Sequence, residues 1–213
     1  MTGLRGKYAP LTTATPVLHP FIGLEGVSGV GKSTLARLLA LRMNGWHIHT
    51  PPDPHSPLLP TIIAGVRPLP QLAFLLSGLM HASDEIRRQL SDRPVIADRY
   101  LSSVVACHSA ITGTPMDQVA AIVDAFHPYL VVPDATFYLT VSDRSLRERM
   151  GTKDDTKQDD EELFGVPGRL ALLRQNFAAA ATADPTAVLL EADGRTPDDL
   201  ADMITAHLKE RCA

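Results

Sequence analysis

Cysteine is nearly absent from this chain of 213 residues; Cys107 and Cys212 are the only two. They lie far apart and match no zinc or redox spacing, so a disulfide scaffold and a cysteine metal site are both excluded. Two reduced thiols suit a cytoplasmic protein. Long apolar runs are missing too: none reaches the roughly 18 residues of a membrane-crossing helix. Near the start, Arg5 and Lys7 precede a stretch from Ala9 to Pro20 that three prolines and several threonines interrupt. That is not the apolar region of a signal peptide. Residues 1–19 therefore read as a flexible leader. Positive charge is in deficit, with 20 Lys plus Arg against 24 Asp plus Glu and a net charge of −4. A nucleic-acid coat or a polybasic membrane binder needs a surplus. What remains open is a local basic site on an acidic body.

Apolar residues make up 45% of the chain, enough for a sizeable core in one domain spanning residues 20–213. Pro20 to Glu25 is a short apolar run stopped by glycines, which reads as a buried strand. From Lys32 to Met43 the residues Leu35, Leu38, Leu39 and Met43 keep helical spacing, and Asn44-Gly45 ends that helix. Trp46 to Thr50 alternates as a second strand before the prolines 51, 52 and 54 force a loop. A short helix over Leu58 to Val66 and a long one over Pro70 to Leu90 precede a buried strand, Pro94 to Asp98. Helices follow over Leu101 to Ile111 and Met116 to Phe126, then a strand over Ala135 to Val141. Ser142 caps a helix running to Met150. Residues 151–162 contain no apolar side chain and read as a loop or lid. Leu163 to Ala183 reads as a helix whose first turn Pro167 and Gly168 weaken, Ala187 to Ala192 as a strand, and Thr196-Pro197-Asp198-Asp199 as a helix start. Strands alternating with helices imply a parallel sheet covered on both faces, with ligands at the carboxyl ends of the strands.

The strongest chemical signal is Gly26-Val27-Ser28-Gly29-Val30-Gly31-Lys32-Ser33, which fits G-x-x-x-x-G-K-[ST]. Glycines allow backbone N–H groups to turn inward around an anion, and the next helix adds its positive end. Lys32 supplies a mobile charge for β and γ phosphates, Ser33 offers a hydroxyl to Mg²⁺, and Thr34 can hold a phosphate oxygen. Asp98 ends a buried strand, where an acid can face that loop and hold Mg²⁺, directly or through water. Arg99 would point into the same cleft as a phosphate clamp. His47 and His49 alternate on the second strand, so both face one side; solvated or packed histidines are the expected reading over a metal pair.

Phe21 to Gly26, Lys32-Ser33-Thr34 and Asp98 to Ser103 resemble the thymidylate kinase family. Pro133 to Leu139, Arg147 to Met150 and Leu190 to Asp193 look like its later strands and helix. The resemblance implies an α/β, three-layer P-loop kinase fold: a central parallel sheet of about five strands, helices on both faces and a lid over residues 151–162. It implies ATP as phosphoryl donor, Mg²⁺, a nucleotide or nucleoside acceptor and a homodimer. Residues 26–34 would bind ATP phosphates, and Asp98 and Arg99 would serve the metal and the acceptor. The phosphate loop has no arginine, so Arg149, Lys153 or Lys157 would supply a transition-state cation. Lys153 and Lys157 would reach ATP from the lid.

The departures from the family cluster on the acceptor side. Ser28 stands where the family has an Asp, and a serine is no carboxylate base. Thr50-Pro51-Pro52-Asp53-Pro54 replaces Thr-Arg-Glu-Pro, and Ser77-Gly78 replaces an Asp-Arg pair. Base-reading positions fall on Val104 and Cys107, beside Tyr100. Phe74 would stack on an acceptor ring or pack in the core. Losing two arginines removes strong phosphate contacts. The expected activity is therefore γ-phosphoryl transfer from ATP to a nucleoside monophosphate or analogue, with an acceptor other than dTMP in view. The alternatives are a nucleoside or small-alcohol kinase with Asp53 as base, and a nucleotide-binding protein without transferase activity.

Overall fold

The structure, a computed structural model, describes residues 19–151 and 163–211. Five strands form one parallel sheet: β1 (Phe21–Glu25), β2 (Trp46–His49), β3 (Val95–Asp98), β4 (Ala135–Thr140) and β5 (Ala187–Glu191). Their order across the sheet is β2-β3-β1-β4-β5. The chain moves to one side of β1 for β2 and β3, then to the other for β4 and β5. That reversal puts the topological switch point at the carboxyl end of β1. Every residue of β1 is buried, as a central strand covered on both faces requires. Register aligns the strand ends: Asp98 pairs with Leu24 on one side and His49 on the other.

Alternation along β1 divides the core. Ile22 and Leu24 join Leu35, Ala36 and Leu39 of α1 (Lys32–Arg42). Beyond them lie Leu200 and Ile204 of the last helix, α8 (Pro197–Arg211). Phe21 joins the opposite cluster with α3 (Pro68–Gln89), α4 (Leu101–Thr112) and α5 (Met116–Asp124). α2 (Leu59–Gly65) sits between β2 and α3 in sequence. α6 (Asp143–Gly151) follows β4, and α7 (Arg169–Ala183) packs along α4, where Asn176 Nδ2 donates to the Ala106 carbonyl at 3.0 Å. Among the described residues no helix is long and apolar enough to cross a membrane.

Two sequence-read helix starts have their capping bonds. Ser142 Oγ accepts the Ser145 N–H at 3.2 Å. At α8, Thr196 Oγ1 accepts the Asp199 N–H at 3.1 Å, and the Asp199 carboxylate accepts the Thr196 N–H at 2.8 Å. The helix expected over Leu163 to Ala183 is instead broken. Its first turn stops before Pro167, and α7 starts only after Gly168, whose φ is +77°. A proline disfavours helix in the residue before it, and a left-handed glycine cannot carry the turn on. The expected leader over residues 1–19 and lid over residues 151–162 lie outside the described residues except for His19 and for Gly151, which ends α6.

One carboxylate ties the sheet to α4. Tyr100 offers no capping side chain to α4. Glu25, fully buried at the end of β1, takes that role from another strand. Its Oε1 accepts the Tyr100 N–H at 2.9 Å and the Ser103 N–H at 3.1 Å, and its Oε2 accepts the Ser103 hydroxyl. Burial raises the Glu25 pKa above the ordinary glutamate range, against the lowering pull of those bonds and of Arg99. A raised carboxylate pKa favours the protonated form in the fold. Its contribution to stability is full below the unfolded pKa and is lost as pH rises through the folded one. Glu25→Gln should therefore flatten the fall of unfolding free energy with rising pH above about 4.5. Urea titrations of both proteins across that range check this; parallel pH profiles would contradict it.

Candidate active site

The loop between β1 and α1 turns on glycines. Gly26, Gly29 and Gly31 have φ of +133°, +82° and +105°. At Gly26 a Cβ would also lie 2.6 Å from the Leu139 carbonyl oxygen, so any side chain is barred. α1 starts at left-handed Gly31 without a capping side chain. Its first N–H groups face the cleft, an anion site built from backbone. Lys32 is 5% exposed and folds back, donating to the carbonyls of Gly26 at 2.8 Å and Val27 at 2.7 Å. Burial and the neighbouring Arg99 charge lower its pKa to about 7, although Asp98 and Glu25 pull it upward.

Asp98 stands across from the loop. Its Oδ2 accepts the Ser33 hydroxyl at 2.5 Å and a bond from His49 Nδ1 at 3.2 Å. Burial alone would raise its pKa. The His49 bond, the Lys32 charge and the Ser33 bond outweigh burial and hold the carboxyl well below the usual carboxylate range. Asp98 is 2% exposed, yet its Oδ1 has no hydrogen-bond partner. An ionised, buried oxygen without a donor beside a serine hydroxyl fits a hydrated divalent cation. His49, part-exposed on β2, thus joins the site through its bond to Asp98.

Arg99 departs from β3 in the left-handed region, with φ +72°. For a residue with a Cβ this costs of order 1–3 kcal/mol and is seen mainly at functional positions. Its N–H bonds the Leu24 carbonyl at 3.0 Å, and its Nη1 lies 3.2 Å from Ser103 Oγ and 3.9 Å from Cys107 Sγ. Arg149, at the end of α6, donates to the carbonyls of Val30 at 2.6 Å and Ala192 at 2.7 Å. It therefore borders the phosphate loop from the β5 side. Lys153 and Lys157 lie outside the described residues.

These groups share one cleft of about 1410 Å³, larger than the few hundred Å³ that one small ligand fills. Ser28 and Thr34 line its phosphate end. One face of α4 lines the other lobe at helical spacing: Val104, Cys107, His108 and Ile111. Tyr100 reaches this lobe only by an edge, because its ring packs at right angles on Phe21, 5.2 Å between centroids. Two expected acceptor residues are elsewhere. Asp53 is exposed in the proline turn and does not line the cleft. Phe74 turns away from the lobe to pack against His55, 5.3 Å between centroids, leaving Gln71 and Leu75 of α3 at the wall. Gln71 is fixed there by bonds from Nε2 to the carbonyls of Ile63 and Val66, at 2.9 and 2.5 Å.

Four residues were not anticipated: Glu25, His49, Gln71 and His108. His108 was within reach, since it extends the spacing of Val104 and Cys107 along one helix face. The role of Glu25 depends on long-range register that no local pattern records.

A glycine loop closed by its own lysine, a helix start facing a cleft and a strand-end acid bonded to the loop serine define a P-loop kinase. Such an enzyme is a phosphotransferase, here of nucleotides. The chain belongs to the thymidylate kinase family, whose family model matches residues 24–194. It is 32% identical over 140 residues to the probable thymidylate kinase of Methanococcus aeolicus, covering 64% of this chain and 69% of that one. Against the thymidylate kinase of Dinoroseobacter shibae it is 28% identical over 207 residues, covering 88% and 95%. The thymidylate kinase structure from Candida albicans superposes with a TM-score of 0.72 at 20% identity, covering 91% of this chain and 92% of that one. Deoxyadenosine kinase from M. mycoides superposes at 0.65 with 16% identity, covering 89% and 99%. These two structures share the fold.

Lys32 gives a pH test of the site. A lysine whose folded pKa is depressed favours the neutral form in the fold, so unfolding takes up a proton between the two pKa values. Stability should rise with pH between about 7 and 10.5 for the native protein relative to Lys32→Met. Chemical denaturation of the two proteins at several pH values measures this, and coincident profiles would count against it.

Proposed function

We propose that this chain is an ATP- and Mg²⁺-dependent kinase that phosphorylates a nucleoside monophosphate other than dTMP. The observation that carries the acceptor class is the scarcity of acid in the cleft. Among the described lining residues Asp98 is the one carboxylate, and it is already bonded to Ser33 and His49. A neutral hydroxyl acceptor needs a base to take its proton. An acceptor phosphate arrives ionised and needs none, so Ser28 in place of a carboxylate suffices. Asp53, the candidate base for a hydroxyl acceptor, lies outside the cleft.

In the transfer an acceptor phosphate oxygen forms a bond to the γ-phosphorus, and the bond from that phosphorus to the β–γ bridging oxygen breaks. ADP leaves with the electron pair, and the acceptor becomes a diphosphate. The open N–H groups of α1 and the charge of Lys32 stabilise the β and γ oxygens. Arg99 lies between the loop and the acceptor lobe and holds the incoming phosphate. Arg149 supports the donor side of the loop through Val30. Mg²⁺, when bound, would supply neutralisation of phosphate charge, and Ser33 and Asp98 are the residues that would hold it.

Gly78 supports an acceptor different from dTMP. Where the family carries arginine, a Cβ at Gly78 would lie 2.6 Å from Pro51 Cβ. The proline turn occupies that space, so neither family arginine has a substitute there.

A panel of nucleosides and nucleoside monophosphates with ATP and Mg²⁺ tests the reading. Monophosphates should turn over and nucleosides should not, with dTMP a poor acceptor. Turnover of unphosphorylated acceptors alone would overturn the acceptor class, and dTMP as the best acceptor would overturn its exclusion. Lys32→Met should lower transfer by about 10²–10³-fold while leaving the fold intact by circular dichroism.

A further inference from the structure

We infer that Gln71 and His108 read the acceptor base and select one bearing an exocyclic amino group over its keto counterpart. The inference rests on the reading of the lobe beyond Arg99 as the acceptor lobe of a monophosphate kinase. The helix walls of that lobe are largely apolar, with Leu75 on α3 and Val104 and Ile111 on α4. Gln71 and His108 interrupt them, 7% and 3% exposed. The His108 ring makes no hydrogen bond among the described residues. Burial lowers its pKa, so the ring is neutral and carries one donor and one acceptor. A buried polar group that borders a cleft without a partner is costly until a ligand supplies one.

Gln71 has already spent half of its amide. The carbonyls of Ile63 and Val66 can only accept, so the atom between them is Nε2 and the amide cannot turn over. Both N–H groups are thereby held at the end of α2. Oε1 accepts nothing among the described residues, and it is what the amide has left to offer a ligand. A free glutamine pairs with a uracil or thymine edge through both groups, accepting N3–H and donating to O4. Here the donating half is missing. N3–H also lies between two carbonyls, so Oε1 would meet O2 and O4 as like partial charges. An amino group offers N–H to Oε1 with one ring nitrogen beside it, and a neutral His108 has the donor for that nitrogen. Cytosine and adenine have this pair of groups in common; uracil, thymine and hypoxanthine lack it. A site built to hydrogen-bond one group rejects the analogue without it, because its own buried atom is then left unpaired. One such atom corresponds to about 10–100-fold in kcat/KM.

The test uses acceptor pairs that differ by amine against carbonyl at one ring position: CMP with UMP, and AMP with IMP, each with ribose and with deoxyribose. With ATP and Mg²⁺, kcat/KM for the amino member should exceed that for the keto member by about 10–100-fold. The pair with the higher turnover tells pyrimidine from purine. Gln71→Leu removes the acceptor and keeps most of the bulk, and the ratio within the pair should fall about tenfold or more. The same variant frees the end of α2, which lowers the rates of both members together and leaves their ratio unmoved. His108→Phe keeps a ring and the α2 bonds, and should lower the ratio by itself. Equal kcat/KM within both pairs of the native protein, or a keto preference, overturns the inference. A native ratio retained in either variant overturns it too. If nucleosides turn over and monophosphates do not, the proposed function falls alone; the ratios are then read on cytidine with uridine and adenosine with inosine. No turnover of any of these compounds overturns both.

Discussion

The buried carboxylate of Glu25 is the constraint on which the rest of the site depends. It ends the strand that launches the phosphate loop, and it receives the first N–H groups of the helix that walls the acceptor lobe. Loop and helix therefore cannot shift independently. Arg99 sits between those two anchors, its own N–H bound to Leu24 and its guanidinium beside Ser103. The left-handed backbone at Arg99 persists because strand pairing before it and the Glu25 bonds after it fix both ends of the turn. The spacing of the phosphate loop and α4 is thus tied to sheet register.

Electrostatics at the loop is arranged in advance of any ligand. Lys32 is buried next to Arg99, and the repulsion adds to the loss of solvent. Asp98 and Glu25 offset part of this. Two cations and two acids are packed within one rim, each shifting the other's proton affinity. A polyanion entering the cleft would offset the repulsion between Lys32 and Arg99.

The sequence made the β-strands, the phosphate loop and the Asp98-Arg99 turn legible because each is a local pattern: apolar runs, glycine spacing, an acid at a strand end. It also made the α8 start legible, because a capping box needs only four consecutive residues. Pro167 and Gly168 weaken the first turn of the helix expected over Leu163 to Ala183, and the chain breaks there outright. Phe74 and Asp53 were read from position within a resemblance. The turn of one ring toward His55, and of one acid toward solvent, depends on how the proline loop packs, and linear spacing does not encode that. Glu25, His49 and Gln71 act through partners 5 to 78 residues away. Their roles became visible only once strands and helices were in register.

The close approach of Pro51 to Gly78 has an evolutionary side. A side chain at position 78 cannot be added while the proline turn lies against α3, because even its first carbon meets the ring. The turn in turn has no reason to move while position 78 is bare. Each residue holds the other in its present state, so placing an arginine at position 78 requires a rearranged loop first. The order of steps is fixed by steric contact: one substitution at position 78 is at least two changes in space.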